Sequence, residues 1–185
     1  MRRTATAIAL LIVPLLALSG CAPTSPATPT KPKPSSTPLF ASEDEALKAA
    51  TDAYAAYERA LDDALISGEV STLARVASGK ALSSATKSVA EFQNAGKKQV
   101  GYSKISSVTA ADLGPLVRNN GKGRGAQIYA CLDVSAVDVL DASGYSVVSA
   151  GTVREFPTLV DLAMDKSRNL VVTDESIWDG KNFCA

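Results

Sequence analysis

The chemistry open to this chain is limited first by a residue type that it lacks, because none of its 185 residues is histidine. Histidine supplies the general base of Ser-His-Asp and Cys-His catalysis and is the commonest protein ligand of metals. Those mechanisms and histidine metal sites are therefore excluded. Carboxylate, lysine and tyrosine chemistry remains, but the sequence contains neither a Walker loop nor a calcium loop.

The first of the three cysteines, Cys21, stands at the end of an apolar segment. Two arginines near the start precede an almost wholly apolar run, residues 5–18, and small residues lie just before the cysteine, as in a secretion signal. The run is shorter than the ~20 residues of a membrane-spanning helix, and Pro14 interrupts it. Residues 1–20 are therefore predicted to be a signal peptide.

The residues Leu18 to Cys21 resemble the lipobox of bacterial lipoproteins, of the Gram-positive type. In that family the cysteine receives a diacylglyceryl group on sulfur and becomes the new N-terminus after cleavage. The resemblance implies that Cys21 carries palmitate-type acyl chains and that the protein is anchored on the extracytoplasmic face of the cell membrane. Two or three acyl chains hold a protein much more firmly than one, so the anchor would be effectively permanent.

The segment after the lipobox, residues 21–38, has the composition of a tether. Residues 22–38 hold six of the nine prolines, are otherwise mostly Ser, Thr and Ala, and contain no acidic residue. Such a chain has too little apolar surface to fold and favours an extended conformation, at roughly 3.1 Å per residue. We expect it to hold the following domain up to about 50 Å from the membrane.

Residues 39–185 form one further domain by length. Without the four basic residues of the signal and tether, 15 basic and 19 acidic residues remain, a net charge of −4. A nucleic-acid-binding domain would show a basic surplus. Nucleic acid is therefore excluded as a partner, and no cofactor is expected.

The two remaining cysteines, Cys131 and Cys184, are predicted to form a disulfide, because they are the pair left in an oxidising compartment once Cys21 is acylated. The bond would tie the penultimate residue to an internal segment. The alternative, a reactive thiolate, requires an activating neighbour such as an imidazolium, which this chain cannot provide.

Three helices are predicted before any strand. Ser42 and Glu45 form a capping box, and apolar residues then recur at three- and four-residue steps, as on one face of an amphipathic helix. These apolar positions are Leu47, Ala50, Tyr54, Tyr57, Leu61 and Leu65. The predicted helices cover residues 42–65, 71–78 and 82–92, and the glycines Gly68, Gly79 and Gly96 end them.

The hydrophobic period then changes from the helical value to two. Ile128, Ala130, Leu132 and Val134 alternate with less apolar residues, which indicates a half-buried strand. The predicted strands are residues 102–113, 128–134, 145–156, 158–164 and 170–178, with turns at 141–144 and 165–169. The sequence therefore predicts an α+β fold with helices packed on an antiparallel sheet.

This order of elements resembles the cone fold of the nuclear transport factor 2 superfamily, over about residues 43–180. It is also similar to small lipoproteins of that class, with an Arg-Gly-rich hairpin at 121–125, a Cys-Leu-Asp strand at 131–133 and a closing tail at 178–184. The resemblance implies helices packed in the concavity of a curved sheet. Members include isomerases, dehydratases, transport factors and non-catalytic modules, so the fold does not choose the function. The Asp/His pair of enzymatic members has no counterpart here.

The glycine-rich segment 118–125 is the candidate anion site. Arg118, Lys122 and Arg124 could surround a backbone nest that binds phosphate or another anion. The alternative is a plain hairpin tip, which also favours Gly and Asn.

The candidates for a ligand cavity are Tyr54, Tyr57 and Trp178. The two tyrosines share the apolar face of the first helix, and the tryptophan is expected nearby inside the cone. The alternative is that these aromatic residues are ordinary core.

Taken together, the sequence predicts a membrane-anchored, non-catalytic lipoprotein of the cell envelope that binds a small ligand or an envelope protein. The alternative is a lyase or isomerase that works in the cone cavity through Asp and Tyr residues. A two-lobed solute-binding protein is disfavoured because the domain is too short.

Replacement of Cys21 by alanine tests the anchor. We expect Cys21→Ala to prevent acylation, because the thiol is the acceptor in the lipobox, and to leave a protein without acyl mass in mass spectrometry. Wild-type protein with a free Cys21 thiol and an uncleaved signal would contradict the prediction.

Overall fold

A helical half followed by antiparallel strands makes up the residues that this computed structural model describes, 38–118 and 125–184. These residues all belong to one compact unit, Ser35–Ala185, and none of their helices is both long and apolar enough to cross a bilayer. The predicted α+β class is confirmed. In chain order the elements are α1 (Glu43–Ser67), a 3-10 turn (Leu73–Arg75), α2 (Gly79–Asn94), β1 (Lys98–Val100), β2 (Lys104–Asp112), α3 (Gly114–Arg118), β3 (Ala126–Asp133), β4 (Asp138–Leu140), β5 (Glu155–Met164) and β6 (Leu170–Ile177).

Helix α1 begins and ends at the predicted caps. The Ser42 hydroxyl accepts a hydrogen bond from the Glu45 N–H at 3.1 Å, and the Glu45 carboxylate accepts one from the Ala41 N–H at 2.9 Å. At the other end Gly68 adopts φ +85°, a left-handed conformation that favours glycine, and its N–H donates to the Ala64 carbonyl. The helix is therefore fixed at both ends by local contacts.

The buried face of α1 is built on alanine and tyrosine. Ala46, Ala50, Tyr54 and Ala64 are fully buried, whereas the predicted leucines flank this face and are only partly buried. Small side chains let the helix backbone approach the sheet closely. The buried face of α1 is therefore rotated slightly from the predicted apolar face, toward the alanines.

The segment after α1 differs from the prediction. A helix was expected over 71–78, but only the 3-10 turn Leu73–Arg75 forms. Gly79 begins α2 rather than ending a helix; it has φ +56°. Ser78 and Ala77 instead contact β6, with the Ser78 N–H donating to the Val172 carbonyl, so tertiary contacts replace the predicted helical turn.

The main sheet has four antiparallel strands in the order β2-β3-β5-β6, with β2 and β6 at its edges. Ile128 and Ala130 of β3 and Val160 and Leu162 of β5 are fully buried, and they point toward the helices. The predicted turn at 165–169 is present, because the Asp165 N–H donates to the Asn169 carbonyl at 2.8 Å.

The strand predicted at 145–156 is wrong for most of its length. Strand β5 starts only at Glu155, and β1 pairs with the short β4 in a separate two-stranded sheet. The Asp141 carboxylate accepts from the N–H groups of Ser143 and Tyr145, and Arg154 donates to the Val134 carbonyl. These contacts hold the intervening residues as a loop.

The C-terminal tail packs on the face of the sheet that points away from the helices. Cys131 and Cys184 form the predicted disulfide, with Cα atoms 5.5 Å apart. Trp178 and Phe183 pack edge-on against Tyr129, at centroid distances of 5.2 and 5.5 Å. Tyr129 and Cys131 alternate with the core residues of β3, so this cluster occupies the outer face.

Removal of the disulfide should destabilise the domain. Closing a loop between residues 53 positions apart is worth about 4 kcal/mol in the chain-entropy model. We expect the double variant Cys131→Ala/Cys184→Ala to lose about that much in urea denaturation, and the reduced wild type to lose a similar amount. Equal stability of the oxidised wild type and the double variant would contradict this.

Candidate functional site

An open groove of about 820 Å³ runs between α1 and β2. On the strand side, every residue from Tyr102 to Val108 lines the groove. Neighbouring side chains of a strand point to opposite faces, so an unbroken run of lining residues indicates that the groove borders the edge of β2. The lining residues on α1 are Asp44, Leu47, Lys48, Thr51, Asp52, Ala55, Glu58, Arg59 and Asp62.

The walls of the groove are apolar and its rim is charged. Leu47, Ala55, Ile105 and Val108 supply the apolar walls. The basic groups that α1 places on the rim are paired with acidic ones in the next turn: Lys48 with Asp52 at 2.7 Å and Arg59 with Asp63 at 3.3 Å. The Arg59 guanidinium also lies 3.8 Å from the centre of the Tyr102 ring, a cation–π contact.

The floor of the groove carries two buried carboxyl groups, Glu58 and Asp62, each 5% exposed. Asp62 is well satisfied: it accepts from the Gln99 amide at 2.6 Å and from the Ser103 N–H and hydroxyl at 2.8 and 2.6 Å. Gly101 makes this approach of Ser103 possible. It has φ +81°, and a Cβ there would lie 1.9 Å from the Ala136 carbonyl oxygen.

Glu58 is satisfied much less well than Asp62. Its Oε1 accepts no hydrogen bond among the described residues, and the Ser103 hydroxyl lies 3.5 Å from its Oε2. Burial, and then the negative charge of Glu175, raise the pKa of Glu58 well above the usual range. Burial also raises the pKa of Glu175, which lies within hydrogen-bonding range of Glu58. The two carboxyl groups therefore share a proton more readily than they ionise together.

Tyr54 ties this pair to the sheet. Its hydroxyl donates to Glu175 Oε1 at 2.5 Å and lies 3.4 Å from the Thr158 hydroxyl, which donates to the Ala130 carbonyl. Burial and nearby carboxylates raise the pKa of Tyr54 and of Tyr57. Both phenols are thus neutral donors in the interior rather than nucleophiles.

Glu175 faces α1 because β6 contains a bulge. Val172 pairs with Leu162 and Glu175 pairs with Val160, and both partners are buried against the helices. Residues three apart on a regular strand point to opposite faces. The extra residue, Thr173, shifts the alternation and brings Glu175 onto the same face as Val172.

The predicted cavity residues lie apart from this groove. Tyr54 and Tyr57 are 0% and 3% exposed and belong to the core beneath α1. Trp178 packs on the other face of the sheet, against Tyr129. The structure therefore brings the two tyrosines together, with ring centres 6.4 Å apart, but separates them from the tryptophan.

The other predicted site residues lie at the margins of the described chain or beyond it. Arg118 is the last residue of α3 and is exposed. Lys122, Arg124 and the acylation site Cys21 lie outside the described residues.

Two further features bear on catalysis. Ser84 and Lys87 have the spacing of a serine–lysine dyad, but both are exposed on α2, and Lys87 pairs with Glu91 at 3.5 Å. No group of three or more metal-ligating side chains suited to an ion occurs in residues 38–118 and 125–184. The described residues thus place a proton-sharing acid pair, but no activated nucleophile, beside the groove.

Glu58 and Asp62 were not identified from the sequence, although a signal was present. They follow Tyr54 at four-residue steps, so they lie on its side of the helix. Acidic residues are rarely buried. An acidic residue on the apolar face of a helix therefore departs from the hydrophobic pattern, and this departure marks the site.

Comparison with known proteins gives a fold but no family. No family model matches the sequence, and no curated protein matches it. Among solved structures, the crystal structure of the intermembrane space region of the chloroplast protein ARC6 is similar, with a TM-score of 0.52 and 18% identity over 71% of this chain and 95% of that chain. At this identity the similarity shows a shared fold alone.

The acid pair predicts a particular pH dependence of stability. The pKa of Glu58 is higher in the folded protein than in the unfolded chain, so the contribution of Glu58 to stability is complete below the usual glutamate range and is lost as pH rises through the raised pKa. We expect Glu58→Gln to flatten this fall between pH 5 and 9, as measured by urea denaturation.

The matched control is Glu91→Gln, which removes an exposed glutamate of α2. It should leave the pH profile of the wild type unchanged. A Glu58→Gln profile parallel to that of the wild type would show that Glu58 does not hold the proton.

Proposed function

We propose that this protein is a lipid-anchored, extracytoplasmic binding protein of the cell envelope that holds a ligand, without chemical conversion, in the groove between α1 and β2. The observation that carries the proposal is the groove itself. Its volume of about 820 Å³ lies within the range of roughly 300–1,000 Å³ that is typical of small-molecule sites. Its lining combines apolar side chains with hydroxyl and charged groups.

The filled core between α1 and the sheet also supports the groove as the binding site. Tyr54 and Tyr57 fill the space between α1 and the sheet, so a ligand would not enter between these layers without displacing core side chains. The groove is open to solvent along the exposed strand β2. A ligand there needs no rearrangement of the core.

The anchor part of the proposal rests on the sequence. The lipobox-like residues ending at Cys21 and the proline-rich segment 22–38 support a domain held outside the membrane by a tether. A binding domain on such a tether would meet ligands at the cell surface.

A lyase or isomerase is the second candidate, and one observation favours it. Glu58 has a raised pKa and lines the groove, which suits a general acid. Tyr54 and Tyr57 do not reach the groove, since they are buried in the core. Of the described groups with a raised pKa, Glu58 alone lines the groove. A conversion by the wild type that Glu58→Gln abolishes would support the enzyme and overturn the binding proposal.

Filling the groove tests where the ligand binds. Ala55 is exposed and lines the groove, whereas its neighbour Ala56 is exposed and does not. We expect Ala55→Trp to weaken binding at least tenfold because the indole occupies the apolar wall, and Ala56→Trp to leave it unchanged.

The measurement uses n-hexyl compounds with neutral, cationic or anionic head groups. Binding is followed by NMR on the full chain in nanodiscs of neutral lipid, with empty nanodiscs as the reference. Binding that both tryptophan variants retain would place the site elsewhere, and no binding of any probe or of short apolar peptides would count against the groove.

A further inference from the structure

Resting on the proposed function of the groove, we propose that its ligand carries an ammonium or guanidinium group on an apolar stem, and that this cation binds against Glu58. The cation would be a lysine or arginine side chain of a partner protein or the head group of a free amphipathic amine. Both present the same chemistry to the groove, and the experiment below separates them.

The first argument is the distribution of ion pairs. Lys48 and Arg59, on the rim, already pair with acidic neighbours on α1. By contrast, Glu58, Asp62 and Glu175 form no ion pair in the described part of the chain. The third basic residue of the lining, Lys104, is exposed and forms no ion pair with these acids either. The floor of the groove, Glu58 and Asp62, therefore has carboxyl groups that no basic side chain of the described residues pairs with.

The second argument is the unsatisfied oxygen of Glu58. A buried carboxyl oxygen without a donor is costly, and Glu58 Oε1 has none among the described residues. Two partners can satisfy it: a proton shared with Glu175, or a donor that enters through the groove. An ammonium or guanidinium group supplies both the hydrogen bond and the missing charge.

The third argument is the arrangement of polar and apolar lining along the groove. Ser103 bonds to Asp62, so this is the end at which the start of β2 meets the end of α1. From there β2 continues to Val108, five residues on, while α1 runs back from Glu58 to Leu47. At 3.3 Å and 1.5 Å per residue these walls are both about 16 Å long. A stem that starts at a cation near Glu58 would lie between them.

Binding of the cation is expected to depend on pH. On its buried side Glu58 lies near acidic or neutral groups: Tyr54, Tyr57 and Asp62 from α1, Asp174 and Glu175 from β6, and the uncharged Gln99 and Ser103. Two basic residues line the groove with it: Arg59, which pairs with Asp63, and the exposed Lys104. Lys80 of α2 pairs with Asp174 at 2.9 Å. Proton and cation compete for the carboxyl pair, so affinity should rise with pH and binding should release a proton.

The test compares hexylamine with hexanol on the full chain in neutral nanodiscs at pH 6 and pH 8, with empty nanodiscs as the reference. Hexylamine should bind at least tenfold more tightly than hexanol at pH 8, and its advantage should shrink at pH 6. Glu58→Gln should abolish the advantage while hexanol binding remains. The matched control Glu91→Gln, which removes an exposed acid that does not line the groove, should preserve it.

A second variant covers the case in which Glu58→Gln does not fold. Glu175→Gln leaves Glu58 in place and removes the negative charge that, after burial, raises its pKa. It should retain the preference for hexylamine, and part of the pH dependence should be lost. Loss of the preference in this variant, or retention of it in folded Glu58→Gln, would overturn the assignment of Glu58.

The two sources of the cation are separated by a peptide arm. The peptide acetyl-Leu-Leu-Lys-Leu-Leu-amide is compared with the same peptide carrying norleucine for lysine. A lysine preference larger than that for hexylamine over hexanol supports a protein partner, and a smaller one supports a free amine.

Failure of this inference can be told from failure of the proposed function. Equal binding of hexylamine and hexanol, both weakened by Ala55→Trp, would leave the groove as the binding site and refute the cation. No binding of either probe or either peptide would refute both.

Discussion

The hydrogen bond between Tyr54 and Glu175 is the contact on which the arrangement of the site depends. It joins the middle of α1 to the edge strand β6 and lies in the core, beside fully buried residues of β3 and β5. Because α1 is drawn toward this side of the sheet, a groove opens on the other side, along β2. This contact thus joins α1 to the edge strand opposite the one that borders the groove.

The two buried acids of α1, Glu58 and Asp62, have a cost that an apolar core would avoid. Replacing buried ionisable groups by apolar residues of similar volume is often neutral or stabilising, yet this helix places both Glu58 and Asp62 on its buried side. Asp62 has a structural explanation, since its three hydrogen bonds fix the chain that leads into β2. Glu58 has no such set of donors, and for that reason we assign it to the groove rather than to the fold.

Local signals in the sequence predict α1, α2 and the four strands of the main sheet well, and they fail where tertiary contacts decide. The Ser42 cap, the Gly68 stop and the turn at 165–169 depend on neighbouring residues only, and all three are present. The prediction that Gly79 ends a helix is wrong, because glycine can begin a helix as well as end one. The orientation of Glu175 could not be read from strand alternation, because the bulge at Thr173 reverses it.

The candidate site shows the same division between local pattern and long-range contact. The hydrophobic period of α1 correctly predicts that Tyr54 and Tyr57 lie on the buried face. They line no cavity there, because the alanines at 46, 50 and 64 bring the helix close enough to the sheet to enclose both rings. The groove needs the edge of β2, and the strand side of its lining begins about forty residues after Asp62, the last α1 residue of the lining. A cavity formed between distant elements leaves no periodic pattern in the sequence. An acidic residue four positions after a buried tyrosine can be recognised there. In a helix of this kind, the departure from the apolar pattern is a better guide to the site than the pattern itself.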